Sequence, residues 1–435
     1  MKLTIHPAAS PLAGRVAPPG DKSVSHRAAI FGGLAEGTTY IEGFLEAEDT
    51  LATLGAMSSL GARVARDGGR VQIEGGRLAP PSMPLDLGNS GTGLRLLTGA
   101  LCGHPDLFGT RVQLIGDASL SRRPMQRIVE PLGAMGARIE SRDGHAPLIV
   151  EPRQLKPLNR KLKVASAQVK SAILLAGLNA AGETRVVEPG VSRDHTERLL
   201  PAFGVAVDRG NCEARLIGPV RPKAARIAVP GDLSSAAFMI AAAALVPGSR
   251  VDIGPVGVNP TRDGFLRIIE QMAAGAVQVH SIADATAGAE PVANLDVSSP
   301  AQLVGISIPA EWVPLAIDEF PLVMAMGAAA RGETVISGAG ELRVKESDRL
   351  AVMSRQLRRL GAYVEERPDG ATVRGGRILG GRVDSEGDHR IAMSLAVLAL
   401  VAEGPVEIDG AEWMRTSYPA FAQHLESLGA QLEWR

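Results

Sequence analysis

A grammar repeated six times constrains this chain more than any other feature. A turn bearing an acidic, amide or hydroxyl side chain opens an Ala-rich apolar helix. A Gly-polar break and a β-branched strand usually follow, and often a second amphipathic helix ending in "LGA" or close to it. The openings are Asp21-Lys22-Ser23, Asn89-Ser90-Gly91-Thr92-Gly93, Ser166-Ala167-Gln168, Gly231-Asp232-Leu233-Ser234-Ser235, Asp318-Glu319-Phe320 and Asp388-His389-Arg390. They recur at roughly seventy residues, longer than the common solenoid periods. Four of the copies carry basic residues spaced to grip anions, and a helix N-terminus is itself an anion site.

At 435 residues the chain is long enough for two domains or more with sizeable buried cores. A formal net charge of -1 excludes a polycationic surface for nucleic acid, and 3% aromatic residues argue against base-stacking platforms. Cys102 and Cys212 lie far apart with no CxxC spacing, so neither a disulfide framework nor a zinc site is expected, and a reducing compartment fits. The stretch Met1-Lys2-Leu3-Thr4-Ile5-His6-Pro7 lacks the apolar run of a signal peptide, which points to a cytoplasmic protein. The longest apolar runs, near Ala236–Val246 and Ile391–Ala402, fall short of the ~20 residues that span a bilayer. They read as buried core helices, and no membrane partner is expected.

The copy from Asp318 spells out the unit. "FPLVMAMGAAA" is a packed helix and "ETVISG" a short strand. "KESDRLAVMSRQLRRLGA" is a helix with apolar residues at three- and four-residue spacing, and "YVEE" and "ATVRGG" form a hairpin around Pro368-Asp369-Gly370. The order is α-β-α-β-β. Two near-identical turns, Pro19-Gly20-Asp21 and Pro230-Gly231-Asp232, bracket three copies. They partition the chain into one domain over 21–232 and a second over 1–20 plus 233–435, with a hinge at the two crossings. Residues 283–314 read as a long irregular connection.

Several segments have the makings of a site. In Gly20-Asp21-Lys22-Ser23-Val24-Ser25-His26-Arg27, a helix beginning near Ser23 puts Ser23 and Arg27 one turn apart with Lys22 at the entrance. An ammonium, a hydroxyl and a guanidinium fork then meet at a positive dipole end; an ordinary Asp cap with solvated basic residues is the bland alternative. Asn89 to Arg95 has the small residues of a phosphate-cradling turn but lacks the Walker lysine and the GxGxxG spacing, so a tight strand-to-helix turn explains it equally. Ser121-Arg122-Arg123-Pro124 sets two guanidinium groups before a proline that should start a helix. Ser166 and Gln168 suit a polyol, with N-capping by Ser166 as the equal alternative. Lys345 and Arg349 are like charges at i,i+4, which costs a bare helix about 0.2–0.5 kcal/mol. An anion between them supplies a reason that stability does not. Glu346 adds a carboxylate beside the pair, and Asp318 and Asp388 open the neighbouring helices, where plain Asp caps remain an alternative. Cations outnumber carboxylates at these entrances, and no metal-ligand cluster is visible. The pattern fits two anionic substrates, with one or two carboxylates and a lysine left to move protons. The Asp232 opening has no basic pair and reads as hinge and core only.

The segments "PGDKSVSHR", "LGNSGTGLRLL", "GDASLSRRPM", "SAQVKSAILLAG", "SRDHTERLL", "PGDLSSAAF", "IDEFPLV", "ELRVKESDRL" and "GDHRIAMS" stand in one order along nearly the whole chain. Together they resemble the EPSP synthase (3-phosphoshikimate 1-carboxyvinyltransferase) family, and in "SAQ" and "SRDHTE" its second bacterial class. The resemblance implies an α/β fold: a two-lobed inside-out α/β barrel, the enolpyruvyl transferase fold, built of six β-α-β-α-β-β repeats. It implies lobes that close around shikimate 3-phosphate and phosphoenolpyruvate. The enolpyruvyl group moves to the 5-hydroxyl with release of phosphate, through a tetrahedral intermediate, on the shikimate pathway to chorismate and aromatic amino acids. It makes 21–232 the shikimate-phosphate lobe and the rest the phosphoenolpyruvate and catalytic lobe.

Carried over residue by residue, the resemblance gives Lys22, Ser23 and Arg27 to shikimate 3-phosphate, with Lys22 also near phosphoenolpyruvate, and adds Ser166, Gln168 and Arg193. It gives Gly91, Arg123, Arg349 and Arg390 to phosphoenolpyruvate and makes Lys345 a bridge to both substrates. Asp318 is the implied acceptor of the 5-hydroxyl proton, and Glu346, with Lys22, a candidate for protonating the methylene carbon. Glyphosate binds beside phosphoenolpyruvate in this family; Gly91 leaves that space open, which implies sensitivity. Three positions depart from the better-known class: Ala167 replaces a second serine, Glu341 an asparagine, and Arg415 a lysine, which keeps a cation for phosphoenolpyruvate. No cofactor or metal is implied, and a monomer is expected.

Two rivals remain. The sister enzyme acting on UDP-N-acetylglucosamine carries a Lys-Asn pair near its start and a loop cysteine. Here the pair is Lys22-Ser23, and "SLSRRPM" has no cysteine. An RNA 3′-phosphate cyclase shares the fold but needs a nucleotidylated histidine and a basic surface, against which the near-neutral charge speaks.

Overall fold

The computed structural model describes residues 1–210, 212–282 and 290–435. Helices stand at all six openings: Lys22–Leu34, Gly91–Cys102, Ala167–Gly177, Leu233–Leu245, Phe320–Ala329 and His389–Ala399. Four start under a side-chain cap. Asp21 accepts from the N–H of Val24 at 2.9 Å, Ser90 from Gly93 at 3.0 Å, Asp232 from Ser234 at 2.8 Å and Asp388 from Arg390 at 2.9 Å. Each bond satisfies a donor that the first turn leaves unpaired. Ser166 does not cap with its hydroxyl. Its own N–H goes instead to Glu188 Oε1 at 2.7 Å, so the capping alternative falls away.

These helices carry apolar residues on every face, and every residue of Leu233–Leu245 is buried. Such a helix must be enclosed on all sides. Among the described residues six sheets do this, five of four strands and one of three. In each four-stranded sheet a parallel pair is followed by two antiparallel strands, as where Asn159–Lys161 runs parallel to Gly182–Val187 and Glu213–Gly218 and Asp208–Gly210 follow antiparallel. Where Leu85–Asp86 runs parallel to Val112–Ile115, the step crosses over through the helix Gly91–Cys102, and the outer antiparallel pair, Arg138–Arg142 with His145–Glu151, is a hairpin. The three-stranded sheet is Glu333–Ile336, Gly370–Arg374 and Tyr363–Arg367, its outer parallel strand reduced to the bridges Val304↔Arg331 and Ser307↔Val335.

The described residues fall into two compact units, one of residues 1–19, 230–282 and 291–435, the other of 20–229 and Glu290. Each has its own apolar core and three of the six helices. The division comes at 229/230 rather than 232/233. Asp232 N–H donates to Pro19 O at 2.8 Å, and Gly231 bridges Val256, which draws the whole Pro230–Asp232 turn onto the first unit. In that unit Lys2–Ile5 lies between Val406–Asp409 and Leu432–Trp434.

Three local expectations need correction. Residues 292–298 form a regular strand, not a connection: Ala293, Leu295 and Val297 alternate inward. Part of that expected connection, residues 283–289, lies outside the described residues. The helix expected from Lys345 begins at Arg349, because Asp348 caps it by accepting from Ala351 N–H at 3.0 Å. Lys345 therefore sits in the turn before the helix, and its i,i+4 relation to Arg349 is not a helical one. The helix after Pro124 begins two residues later, at Gln126.

Candidate active site

Apart from Arg415, the site residues read from the sequence gather into one cluster in each unit. In the 20–229 unit, Arg27 is buried and bonded through each of its three nitrogens. Its Nε donates to Thr196 Oγ1 at 2.7 Å, Nη1 to Ser23 O at 3.0 Å and Nη2 to Ser171 Oγ at 2.9 Å. Burial, with a smaller push from Arg193, brings its pKa down to about 10, against the pull of Glu197. Lys22 pairs with Asp49. His26, one turn below Lys22, bonds Thr53 Oγ1 through Nδ1 at 2.8 Å and lies 3.4 Å from Ser90 Oγ through Nε2. Burial and the cations Lys22 and Arg27 hold its pKa well below the ordinary histidine value, so it is a neutral strut between two helix openings.

The Gly91 and Ala167 helices are stitched together. Arg95 Nη1 donates to Gln168 Oε1 at 2.6 Å, and Gln168 Nε2 donates to Thr92 Oγ1 at 3.0 Å. Arg123 reaches the same turn, with Nη1 3.3 Å from Asn89 O and Nη2 on Asn89 Oδ1. A methyl group at Gly91 would stand 3.0 Å from Arg95 Nη1 and 3.2 Å from Arg123 Nη1, so the residue's smallness keeps both guanidinium groups at the turn. Beneath Ser166 lies a buried triad: Lys170 Nζ is 2.8 Å from Glu188 and 2.8 Å from Glu197. Burial works against the lysine charge, but Glu197 and Glu188 override it and hold the pKa above the ordinary value. Glu188 also accepts from Ser192 Oγ at 2.7 Å, beside Arg193.

In the other unit Arg349 is the hub. It is buried, with Nε 2.8 Å from Asp388 Oδ2, Nη1 3.2 Å from Asp318 Oδ1 and Nη2 2.6 Å from Glu346 Oε2. Burial opposes its charge, yet Asp388, Glu346 and Asp318 together raise its pKa. Burial likewise opposes the Asp388 charge, and Arg349 and His389 nonetheless hold that carboxyl below the usual range. Lys345 Nζ lies 3.4 Å from Asp318 Oδ1 and 3.8 Å from Glu341. Arg390 Nη1 donates to Asp318 O at 3.0 Å. Asp318 is thus a carboxylate between an ammonium and a guanidinium. The sequence count of cations over carboxylates does not hold here: Asp318, Glu319, Glu341, Glu346 and Asp388 surround Lys345, Arg349 and Arg390. Arg415 does not join the network; it is exposed, its guanidinium 5.8 Å over the Trp434 ring.

The model of the family EPSP synthase (3-phosphoshikimate 1-carboxyvinyltransferase) matches residues 7–425. The chain belongs to the EPSP synthase family. It is 52% identical over 428 residues to a 3-phosphoshikimate 1-carboxyvinyltransferase of Acidithiobacillus ferrooxidans, covering 98% of this chain and 97% of that one. It is 49% identical over 430 residues to the protein of that name from Xanthomonas campestris pv. campestris, covering 98% and 96%. Among solved structures it is similar to EPSP synthase from Acinetobacter baumannii, with 43% identity, TM-score 0.87 and all of both chains covered. The enolpyruvyl transferase NikO from Streptomyces tendae shares the fold, with TM-score 0.76 at 18% identity over 99% and 98% of the two chains. The enolpyruvyl transferase fold is therefore this chain's fold. Among the described residues, no helix is long and apolar enough to cross a membrane, and no cluster of metal-ligating side chains occurs.

The sequence reading assigned no role to Asp49, Arg95, Lys170, Glu188, Arg262 or Glu319. One signal was available for two of them. Arg95 and Lys170 are single cations inside otherwise apolar helices, a placement that demands buried partners. The glutamates, far away in sequence, gave no such sign.

Proposed function

We propose that this chain transfers the enolpyruvyl group of phosphoenolpyruvate to the 5-hydroxyl of shikimate 3-phosphate and releases phosphate. Curated relatives about half identical over nearly their whole length carry the name of that activity. The observation that carries the mechanism is Asp318 Oδ1 held between Lys345 Nζ at 3.4 Å and Arg349 Nη1 at 3.2 Å. A carboxylate there takes the proton of the 5-hydroxyl as its oxygen bonds C2 of phosphoenolpyruvate, while Glu346, aided by Lys22, delivers a proton to C3. The tetrahedral adduct then loses phosphate from C2 and a proton from the new methyl group, which restores the enol ether. Carboxylate and phosphate charges persist through both steps, and preorganised cations stabilise them.

In this reading Lys22, Ser23, Arg27, Ser166, Gln168 and Arg193 hold shikimate 3-phosphate. Gly91, Arg123, Arg349 and Arg390 hold phosphoenolpyruvate, and Lys345 touches both. Phosphoenolpyruvate takes over the Arg349 ion pairs now made to Asp318 and Glu346, and so frees both carboxylates for proton transfer as it binds. Arg415, exposed over Trp434, is the weakest member of the set. The protein acts on its two small substrates as a cytoplasmic monomer.

The test is phosphate release with each substrate alone and with both. Release is expected only with shikimate 3-phosphate and phosphoenolpyruvate together. Equal release with UDP-N-acetylglucosamine as acceptor overturns the assignment.

A further inference from the structure

We propose that Ser234 and Glu319 are positioning residues for the proposed phosphoenolpyruvate ligand Arg390, at the end of a buried relay that starts at the Asp232 helix opening. The inference rests on the reading of Arg390 given above. Arg262 Nη2 donates to Asp232 Oδ1 at 2.8 Å and to Ser234 Oγ at 2.6 Å. A guanidinium can only donate. Ser234 Oγ is therefore an acceptor toward Arg262, and its single hydrogen is left for Glu319 Oε1, its other partner. The same Glu319 oxygen accepts from Arg390 Nη1 at 3.3 Å, and that nitrogen also donates to Asp318 O at 3.0 Å. The donors are therefore fixed throughout: Arg262 toward Asp232 and Ser234, Ser234 toward Glu319, and Arg390 toward Glu319 and Asp318.

The relay is buried: Ser234 is 3% exposed, Arg262 4%, Glu319 4% and Asp232 5%. Charge alternates along it, from Asp232 to Arg262 to Glu319 to Arg390. Stability alone does not call for such a chain, because well-packed apolar side chains are often as stable as a buried ion network. Its geometry has a use. Both side-chain hydrogen bonds of Arg390 engage Nη1. Held at that corner, the guanidinium presents the edge formed by Nε and Nη2, the fork that pairs bidentately with a carboxylate or phosphate. Glu319 also adjoins Asp318, so fixing its side chain fixes the turn that carries the proposed base. The Asp232 opening is therefore not hinge and core only: it braces a ligand two repeats away.

The test is steady-state kinetics of Ser234→Ala, Ser234→Thr and Glu319→Gln beside Arg390→Ala, with melting temperatures for each. Ser234→Ala is expected to raise the KM for phosphoenolpyruvate about tenfold, the equivalent of one charge-assisted hydrogen bond, with the KM for shikimate 3-phosphate within twofold of the parent. Glu319→Gln should do the same, Ser234→Thr should restore the parent value, and Ser234→Ala should add nothing on the Arg390→Ala background. A fall in melting temperature with both KM values unchanged in Ser234→Ala and Glu319→Gln overturns the relay. If Arg390→Ala itself leaves the KM for phosphoenolpyruvate unchanged, it is the reading of Arg390 that fails.

Discussion

Replacing Lys170 by methionine removes a charge and keeps the length of the side chain. Lys170 is 4% exposed, and its ammonium is 2.8 Å from both Glu188 and Glu197, themselves 3% exposed. Taking one partner from a buried ion cluster costs about 3–5 kcal/mol, because the remaining charges lose their nearest counterion and solvent does not replace it. At ~2–4 °C per kcal/mol for a unit of this size, the melting temperature should fall by about 6–20 °C. The fall should depend on pH. In the parent, Lys170 is held above its ordinary value, so its contribution is complete below ~10.4 and is lost only as pH rises through the folded-state value. In the variant two stranded carboxyls titrate above the ordinary ~4.3 in the folded state. The folded protein then binds more protons than the unfolded one in the window above that value, and stability falls as pH rises through it. Calorimetry of parent and variant at pH 5 and pH 8 should give a small gap at pH 5 and the full gap at pH 8. Adding Glu197→Gln should recover part of the loss at pH 8. A gap below about 2 °C, or one equal at both pH values, refutes the reasoning.

Asp318→Asn should lower kcat by about 10²–10⁴, the usual worth of a general base, with both substrates still bound in calorimetric titration; unchanged turnover removes Asp318 from that role. Gly91→Ala sets a methyl group 3.0 Å from Arg95 Nη1 and 3.2 Å from Arg123 Nη1. It should raise the glyphosate concentration for half inhibition well beyond any rise in the KM for phosphoenolpyruvate, and an inhibition curve indifferent to the change refutes the reading of position 91. His26 is held neutral, its folded pKa well below the unfolded ~6.5, so it costs stability progressively as pH falls below that value. His26→Gln should flatten the acid side of the melting-temperature profile between about pH 6.5 and 5, and two parallel profiles would contradict this.

The helix openings were legible because capping is local. Asp21, Ser90, Asp232 and Asp388 each bond an N–H two or three residues on, and such a pattern lies within one glance of the chain. The hairpin at Pro368-Asp369-Gly370 was legible for the same reason, closing with Arg367 opposite Gly370. The strand at Val292–Ser298 was missed because its alternation, Ala293, Leu295 and Val297, is weak in apolar contrast and sits beside a proline-rich stretch. The start of the helix at Asp348 is not legible because "KESDRLAV" offers three acidic or hydroxyl residues that can cap, and only packing selects one. Pairings that join remote segments, Lys170 with Glu188 and Glu197 or Ser234 with Glu319, leave no periodic trace. Burial alone reveals them.

The strand Lys2–Ile5 is an interior strand of its sheet, paired on its two sides with Val406–Asp409 and Leu432–Trp434. Leu3 faces Trp434, and the backbones of Lys2 and Arg435 exchange hydrogen bonds at 2.8 and 2.9 Å. Synthesis runs the other way from this architecture. Lys2–Ile5 must wait about four hundred residues for its partners Val406–Asp409 and Leu432–Trp434, while 20–229 holds all three of its sheets as soon as it leaves the ribosome. The unit nested in the middle of the chain should therefore mature first. A chain stalled after residue 300 should already yield a protease-resistant core of 20–229, with its leading strand still open to cleavage.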